Sequence, residues 1–188
     1  FTPIVVDGRC AIHDGRHLPD TTTPITVEID ARLAFGTGTH QTTRMIVGVL
    51  TSMPLKGLRM LDAGCGTGIL GIVALKCGAA SVTGYDIDEW SADNARHNAV
   101  INQVDSRFTS LLGDASVIAT LQKPFDIVTA NINRNILLQD MPAFSCALHT
   151  GGTLVLSGFY TDDIPPLTET ALTLGLQETA RHEDDGGA

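Results

Sequence analysis

Short apolar runs alternate with segments of helical periodicity along most of this chain. Short runs rich in apolar and β-branched residues predict strands. The predicted strands lie at residues 57–61, 81–86, 107–110, 125–130 and 152–160, with one more beginning within residues 176–181. Apolar residues spaced three or four apart predict helices between them, and these lie from residue 39 onward, at 69–76, around 90–100, at 136–148 and at 165–174. Strand and helix in alternation predict an α/β fold, a doubly wound and mostly parallel sheet with helices on both faces.

The first 34 residues do not follow this alternation. They contain Pro3, Pro19 and Pro24 and are predicted to be irregular, except for residues 25–29, which are predicted to form a strand. We therefore expect residues 1–34 to form a linker and a lead-in strand, and residues 35–188 to form the main domain.

A glycine-rich turn joins the first strand of the alternating region to its helix. Its pattern is Asp62-x-Gly64-x-Gly66-x-Gly68. Glycines at such a turn adopt backbone conformations closed to other residues and let a ligand approach the bare backbone. The next strand ends in Asp86, 22 residues after Gly64, close to the spacing that nucleotide-binding units use for the acid that holds a ribose. The pattern predicts a ligand that contains adenosine.

Two adenosine ligands compete for this pattern. Residues 66–71 match G-x-G-x-x-G, which is typical of NAD-dependent oxidoreductases. However, Asp62 precedes the glycines, and a carboxylate there would repel a pyrophosphate but attract the ammonium of S-adenosylmethionine. The register therefore favours a methyltransferase in which Asp62, Gly64, Gly66 and Asp86 contact the cofactor, with the oxidoreductase as the alternative.

Two further polar residues follow later strands. Asp114 comes after the third strand, where an acid commonly reaches the amino group of adenine in methyltransferases, and it is equally well placed to cap a helix. Asn131 ends the fourth strand, where amine methyltransferases often place an amide that accepts a hydrogen bond from the target nitrogen; the alternative is an amide that caps a loop. We expect Asn131 to be the catalytic residue and also to contact the cofactor.

Residues 33–43 form a polar segment before the first of these helices. They hold two glycines, four threonines and one histidine, and such a segment can fold over a cofactor and offer hydroxyl and backbone N–H groups. Phe35, Thr37 and Thr43 are the predicted cofactor contacts here. His40 is a candidate base by its location, although a role in ordering the segment is favoured.

Three segments together resemble the PrmA family, the bacterial methyltransferases of ribosomal protein L11. They are residues 33–43, residues 61–70 and residues 130–132, and the resemblance extends over roughly residues 1–180. It implies a Rossmann-like class I methyltransferase fold, S-adenosylmethionine as cofactor, and methylation of lysine side chains and an α-amino group on L11. It also implies that Thr43, Gly64, Asp86 and Asn131 hold the cofactor. The resemblance further implies an amino-terminal domain that captures L11, which we do not expect within these 188 residues.

Composition narrows the choice of partners. The net charge of −9 argues against binding to nucleic acid through its phosphates and suits a basic protein substrate, although it also fits simple solubility. No apolar run is long enough to cross a membrane, and the four cysteines lack metal-binding spacing, so we expect a cytoplasmic protein without a metal. Amine methylation of another protein or a small molecule, and a non-catalytic binding module, remain alternatives.

Overall fold

A computed structural model describes residues 3–30 and 40–183, which form two β-sheets and five α-helices. The strands are β1 (Ile4–Val6), β2 (Cys10–His13), β3 (Ile25–Glu28), β4 (Arg59–Ala63), β5 (Ser81–Asp86), β6 (Phe108–Leu112), β7 (Phe125–Asn131) and β8 (Leu148–Ser157). The helices are α1 (His40–Ser52), α2 (Ile69–Lys76), α3 (Glu89–Ile101), α4 (Arg134–Ala147) and α5 (Ile164–Thr173).

The larger sheet is parallel throughout and has the strand order β6-β5-β4-β7-β8. The central strand β4 pairs with β5 on one side and β7 on the other, so that Leu61 lies between Thr83 and Val128. The chain therefore builds outward from β4 in one direction and then resumes on its other side. In sheets of this kind the point of reversal leaves a crevice at the carboxyl ends of the strands, where ligands bind.

Helices cover both faces of this sheet, as the alternating pattern predicts. Along the strands, Met60 and Ile127 pack into one buried cluster with residues of α1 and α2. The next residues along each strand, Leu61 and Val128, face the opposite side and pack against α4. The predicted doubly wound parallel sheet is confirmed.

The amino-terminal residues form a separate three-stranded sheet, with β1 antiparallel to β2 and β2 parallel to β3. Ile4, Ile12 and Val27 from its three strands join the same buried cluster as α1 and α2. The sequence predicts only β3, and the expectation that the preceding residues are irregular is wrong. The two missed strands are only three and four residues long, too short to establish a periodic pattern, and a tight turn with left-handed Asp7 and Gly8 separates them.

The strand predicted to begin within residues 176–181 is also wrong. In the described part of the chain these residues form no strand, and all but Leu176 are exposed. No described strand pairs with them, and an isolated strand is not stable in water.

Two buried asparagines four residues apart, Asn98 on α3 and Asn102 at its carboxyl end, tie the two sheets together. Asn102 accepts a hydrogen bond from the backbone N–H of Glu28 at 3.0 Å and donates one to its carbonyl at 2.7 Å. Asn98, which is fully buried, accepts from the N–H of Asp30 at 2.9 Å and donates to the carbonyl of Thr67 at 2.9 Å. The helix therefore fixes the end of β3 relative to the glycine-rich turn.

Candidate active site

A cavity of about 940 Å³ opens at the carboxyl ends of β4, β5, β6 and β7. This is the point of reversal in strand order. The glycine-rich turn forms one wall, Asp86 and Asp114 stand at the ends of β5 and β6, and Asn131 ends β7. The parallel sheet thus brings together residues that lie almost 70 positions apart in the sequence.

The glycine-rich turn presents its backbone to the cavity. Gly64 and Gly66 have left-handed conformations, with φ of 68° and 53°. A Cβ atom at Gly64 would lie 2.6 Å from Cγ2 of Ile132, whereas nothing lies within 4 Å of a Cβ atom at Gly66. The structure therefore leaves open space beside Gly66, and a ligand can approach the backbone there.

Asp86 is held in place by the backbone on both sides. Its Oδ2 accepts a hydrogen bond from the N–H of Gly66 at 3.0 Å, and its Oδ1 accepts one from the N–H of Asp88 at 3.0 Å. Each carboxylate oxygen can accept more than one hydrogen bond. Asp86 therefore faces the cavity, fixed in orientation and with acceptor capacity to spare for a pair of hydroxyl groups.

Asp62 lies beneath the turn rather than in the cavity wall. Its side chain is 1% exposed, Oδ1 accepts a hydrogen bond from Oγ1 of Thr129 at 2.8 Å, and Oδ2 has no partner among the described residues. Burial raises the pKa of Asp62 to about 7, the nearby charge of Asp86 adds to the rise, and the Thr129 hydrogen bond opposes it. Direct contact between Asp62 and a cofactor stays a prediction.

Asp114 follows β6 and caps the short 3₁₀ helix Ala115–Thr120. Its Oδ1 accepts hydrogen bonds from the N–H of Ser116 at 2.9 Å and from the Ser116 hydroxyl at 2.5 Å, which lower the pKa of the carboxyl. The capping role that the sequence allows is present, and the same carboxylate also lines the cavity.

Sequence reasoning missed two residues that share this end of the cavity, Tyr85 and Asp140. The Tyr85 hydroxyl is buried and has no hydrogen-bond partner within the described part of the chain. Burial, followed by the charge of Asp140, raises the pKa of Tyr85, and burial together with Asp114 raises the pKa of Asp140. In the sequence, a tyrosine in a strand looks like a core residue and an acid on a helix looks like a surface residue. Only the position of Tyr85 directly before Asp86 could have indicated that it lines the cavity.

Asn131 projects into the cavity from the end of β7 and is half-buried. No group of residues 3–30 or 40–183 forms a hydrogen bond with its amide. The alternative role of loop cap belongs instead to Asn133, whose Oδ1 accepts a hydrogen bond from the N–H of Ile136 at 3.1 Å at the start of α4. The Asn131 amide is therefore available to a ligand.

Of the polar segment at residues 33–43, the structure places Thr43 on the first turn of α1, where it is buried and lines the cavity. Phe35 and Thr37 lie outside the described residues, so their predicted contacts stay predictions. The backbone of His40 begins α1.

The charge of the cavity comes from acidic side chains. Within residues 3–30 and 40–183, its charged lining residues are the carboxylates of Asp86, Asp88, Asp114 and Asp140. Among the lining residues that the structure describes, none is lysine, arginine or histidine. Residues 3–30 and 40–183 also contain no group of three or more His, Cys, Asp or Glu side chains placed to hold a metal ion.

The fold is that of S-adenosylmethionine-dependent methyltransferases. The structure of ribosomal protein L11 methylase from Lactobacillus delbrueckii subsp. bulgaricus matches all of this chain and 95% of its own, with a TM-score of 0.87 and 28% identity. A precorrin-6y C5,15-methyltransferase from Geobacter metallireducens GS-15 covers 79% of this chain and 77% of its own, with a TM-score of 0.62 and 16% identity, and so shares the fold.

The sequence identifies the family. Residues 1–186 match the family profile of ribosomal protein L11 methyltransferase (PrmA). The ribosomal protein L11 methyltransferase of Porphyromonas gingivalis is 49% identical over 176 residues, which are 94% of this chain and 60% of that protein. The ribosomal protein L11 methyltransferase of Phocaeicola vulgatus is 42% identical over 188 residues, which are 100% of this chain and 66% of that protein. The chain belongs to the PrmA family, as its motifs predict, and spans 60–66% of the length of these curated relatives.

Proposed function

We propose that the chain uses S-adenosylmethionine to methylate amino groups of ribosomal protein L11. The observation that carries this proposal is the charge of the cavity, in which four carboxylates and no described cation surround the space for a ligand. A carboxylate-lined cavity favours cationic ligands by Coulomb attraction. Both S-adenosylmethionine, with its sulfonium and ammonium groups, and a lysine side chain fit this description.

The residues around the cavity fit this cofactor. Asp86 offers spare acceptor capacity to the two ribose hydroxyls, and the open space beside Gly66 admits a ligand against the backbone. Tyr85, which lines the cavity, supplies a buried hydroxyl that lacks a partner within the described residues. Buried polar groups are seldom left without a hydrogen bond, so unpaired ones around a cavity indicate a bound ligand or water.

The chain's own residues position the reactants. When bound, S-adenosylmethionine supplies an electrophilic methyl group, whose bond to sulfur breaks as the amine lone pair forms the new bond to carbon. In the proposal, the Oδ1 atom of Asn131 accepts a hydrogen bond from the neutral target amine and directs its lone pair into the cavity. Asn131 carries no charge, so it does not favour the ammonium form, which has no lone pair and cannot react.

Ribosomal protein L11 is proposed as the substrate because the relatives carry that name and because the chain, with a net charge of −9, is suited to a basic partner. The same proposal includes a division of the chain into residues 1–34 and 35–188 and capture of the substrate by a further domain. It also includes a cytoplasmic location and the absence of direct nucleic-acid binding. Within residues 3–30 and 40–183, none of the helices has the length and apolar character needed to span a membrane.

NAD-dependent oxidation is the weaker candidate. A dinucleotide places a pyrophosphate at the amino end of the helix after the glycine-rich turn. In this cavity the pyrophosphate would meet four carboxylates and no lysine, arginine or histidine among the described lining residues. Coulomb repulsion therefore disfavours it.

The test is methyl transfer to purified ribosomal proteins. The protein is incubated with S-adenosylmethionine labelled in its methyl group and with a mixture of large-subunit ribosomal proteins, and the products are separated by electrophoresis. We expect label in the L11 band, and mass spectrometry should place added methyl groups on its lysines and α-amino group. Label in a different protein would refute L11 as the substrate. If no band carries label, the proposed methyltransferase activity is refuted.

A further inference from the structure

Gly158 approaches the proposed catalytic amide more closely than any residue with a side chain could. It directly follows β8 and has a left-handed backbone, with φ of 89°. A Cβ atom on Gly158 would lie 2.8 Å from Oδ1 of Asn131, 3.0 Å from the carbonyl oxygen of Ile132 and 3.1 Å from its nitrogen. Real Cβ atoms essentially never lie within 3.0 Å of another heavy atom outside their own chain neighbours. The space that the Asn131 oxygen occupies therefore exists because residue 158 has no side chain.

The sheet register places these residues together. Asn131, the last residue of β7, pairs with Ser157, the last residue of β8, and Gly158 is the next residue along. Gly158 also lines the cavity, whereas Ser157 is buried behind it with a hydroxyl that has no partner in the described part of the chain. The carboxyl end of β8 thus forms the wall against which the Asn131 side chain rests.

Among the described residues, packing against this wall is the contact that holds the Asn131 amide. The amide has no hydrogen-bond partner within residues 3–30 and 40–183, so no polar contact there fixes the direction of its oxygen. An amide held by packing alone moves when its neighbour gains volume.

We propose that Gly158 is a positioning residue, which sets where Oδ1 of Asn131 meets the target amine. This inference rests on the proposed methyl transfer and on the role of Asn131 in it. A methyl group at position 158 displaces the amide oxygen by a few tenths of an ångström or more. Displacements of about 1 Å at a reacting centre lower rates by about a hundredfold, so the methyl-transfer step should be sensitive to this change.

The chain offers a matched control. Gly151, inside β8, has φ of 87°, and nothing lies within 4 Å of a Cβ atom built on it. Alanine at 151 and alanine at 158 therefore impose the same backbone strain, but only the second meets Asn131 and Ile132. Any difference between the two variants measures the contact rather than the strain.

The experiment compares single-turnover methyl transfer at saturating S-adenosylmethionine in wild type, Gly158→Ala and Gly151→Ala. We expect Gly158→Ala to slow transfer roughly tenfold to a hundredfold, with the dissociation constant of S-adenosylhomocysteine changed less than about threefold. Gly151→Ala should transfer methyl groups within about twofold of wild type. Equal rates in the two alanine variants would overturn the inference.

A double-mutant cycle separates positioning from a merely structural effect. In the Asn131→Ala background, where there is no amide left to displace, Gly158→Ala should slow transfer by less than about threefold. A full additional loss in that background would show that Gly158 does not act through Asn131. A wild-type protein that transfers no methyl group would instead contradict the proposed function.

A second variant keeps the inference testable if Gly158→Ala does not fold, as judged by circular dichroism. Asn131→Gln keeps the amide but extends it by one methylene, which moves its oxygen away from the place that Gly158 leaves open. We expect this variant to lose methyl transfer as severely as Asn131→Ala. Transfer within about threefold of wild type would show that the exact position of the amide is unimportant.

Discussion

The backbone N–H of Gly66 donates a hydrogen bond to Oδ2 of Asp86 across 3.0 Å, which ties the glycine-rich turn after β4 to the acid that ends β5. The two residues are 20 positions apart, and parallel pairing of β4 with β5 brings them together. Because the turn and the acid hold each other, their positions are set before a ligand arrives. This preorganisation lowers the entropic cost of binding.

Replacement of Asp86 with alanine should weaken cofactor binding strongly. Two charge-assisted hydrogen bonds to ribose hydroxyls are lost, which we expect to cost about 2–4 kcal/mol of binding free energy. Asp86→Asn should cost less because one amide oxygen can still accept. Titration calorimetry with S-adenosylhomocysteine measures both, with Asp93→Ala, an exposed acid paired with Arg96, as the control. An unchanged dissociation constant in Asp86→Ala would remove Asp86 from the site.

Alanine at Gly66 should impair binding without disturbing the core. The added methyl enters open space where the cofactor is expected, and the left-handed backbone adds about 1–2 kcal/mol of strain. Gly57→Ala is the matched control, because Gly57 also has a left-handed backbone with nothing within 4 Å of a Cβ atom. Both variants should lose similar thermal stability, but only Gly66→Ala should lose affinity for S-adenosylhomocysteine. Equal affinities would assign Gly66 to the turn alone.

The buried carboxyl of Asp62 should make stability depend on pH. Its pKa in the folded protein is raised from 3.8 to about 7, so between these values the unfolded chain loses its proton while the folded protein keeps it. The free energy of unfolding should therefore fall as the pH rises from about 4 to about 7, by about 4 kcal/mol at most.

Urea unfolding of wild type and Asp62→Asn across this range isolates the contribution of Asp62, because other titrating groups are common to both. The asparagine variant should show a shallower fall. Identical pH dependence in the two proteins would mean that the folded protein does not hold Asp62 in its protonated form.

Asn131→Ala should depress the methyl-transfer step while leaving cofactor binding largely intact. Removing one well-placed polar group from an active site costs about 2–4 kcal/mol of transition-state stabilisation, whereas Asp86 and the glycine-rich turn remain. Single-turnover transfer at saturating cofactor measures this step. Asn135→Ala, an exposed asparagine of α4, serves as the control. If Asn131→Ala transfers the methyl group at the rate of the wild-type protein, Asn131 has only a structural role.

Local patterns were sufficient to predict the elements around the glycine-rich turn. The helix at Ile69–Lys76 and the strand at Ser81–Asp86 have the predicted bounds, because glycines and charged residues mark their ends. The predicted strand at residues 152–160 is instead Leu148–Ser157, since pairing with β7 decides where it begins and the turn at Gly158 decides where it stops. Where a strand begins and ends cannot be predicted from its own residues when pairing with a neighbouring strand determines these positions.

The parts of the site that the sequence missed depend on contacts between distant segments. Gly158 matters because of an amide 27 positions earlier, and Asp140 because α4 packs it near Tyr85 and Asp114. The asparagines of α3 look like an ordinary polar helix face until β3 lies against them. Such roles appear only when the sheet order is known, because nothing within a short window of sequence distinguishes these residues from surface or core positions.

We propose that the cavity at the carboxyl ends of β4 to β7 holds S-adenosylmethionine. Calorimetric titration of the protein with S-adenosylhomocysteine and, separately, with NAD tests it directly. We predict saturable binding of S-adenosylhomocysteine at one site per chain, weakened in Asp86→Ala, and no heat of binding from NAD. Binding of NAD without binding of S-adenosylhomocysteine would contradict the account.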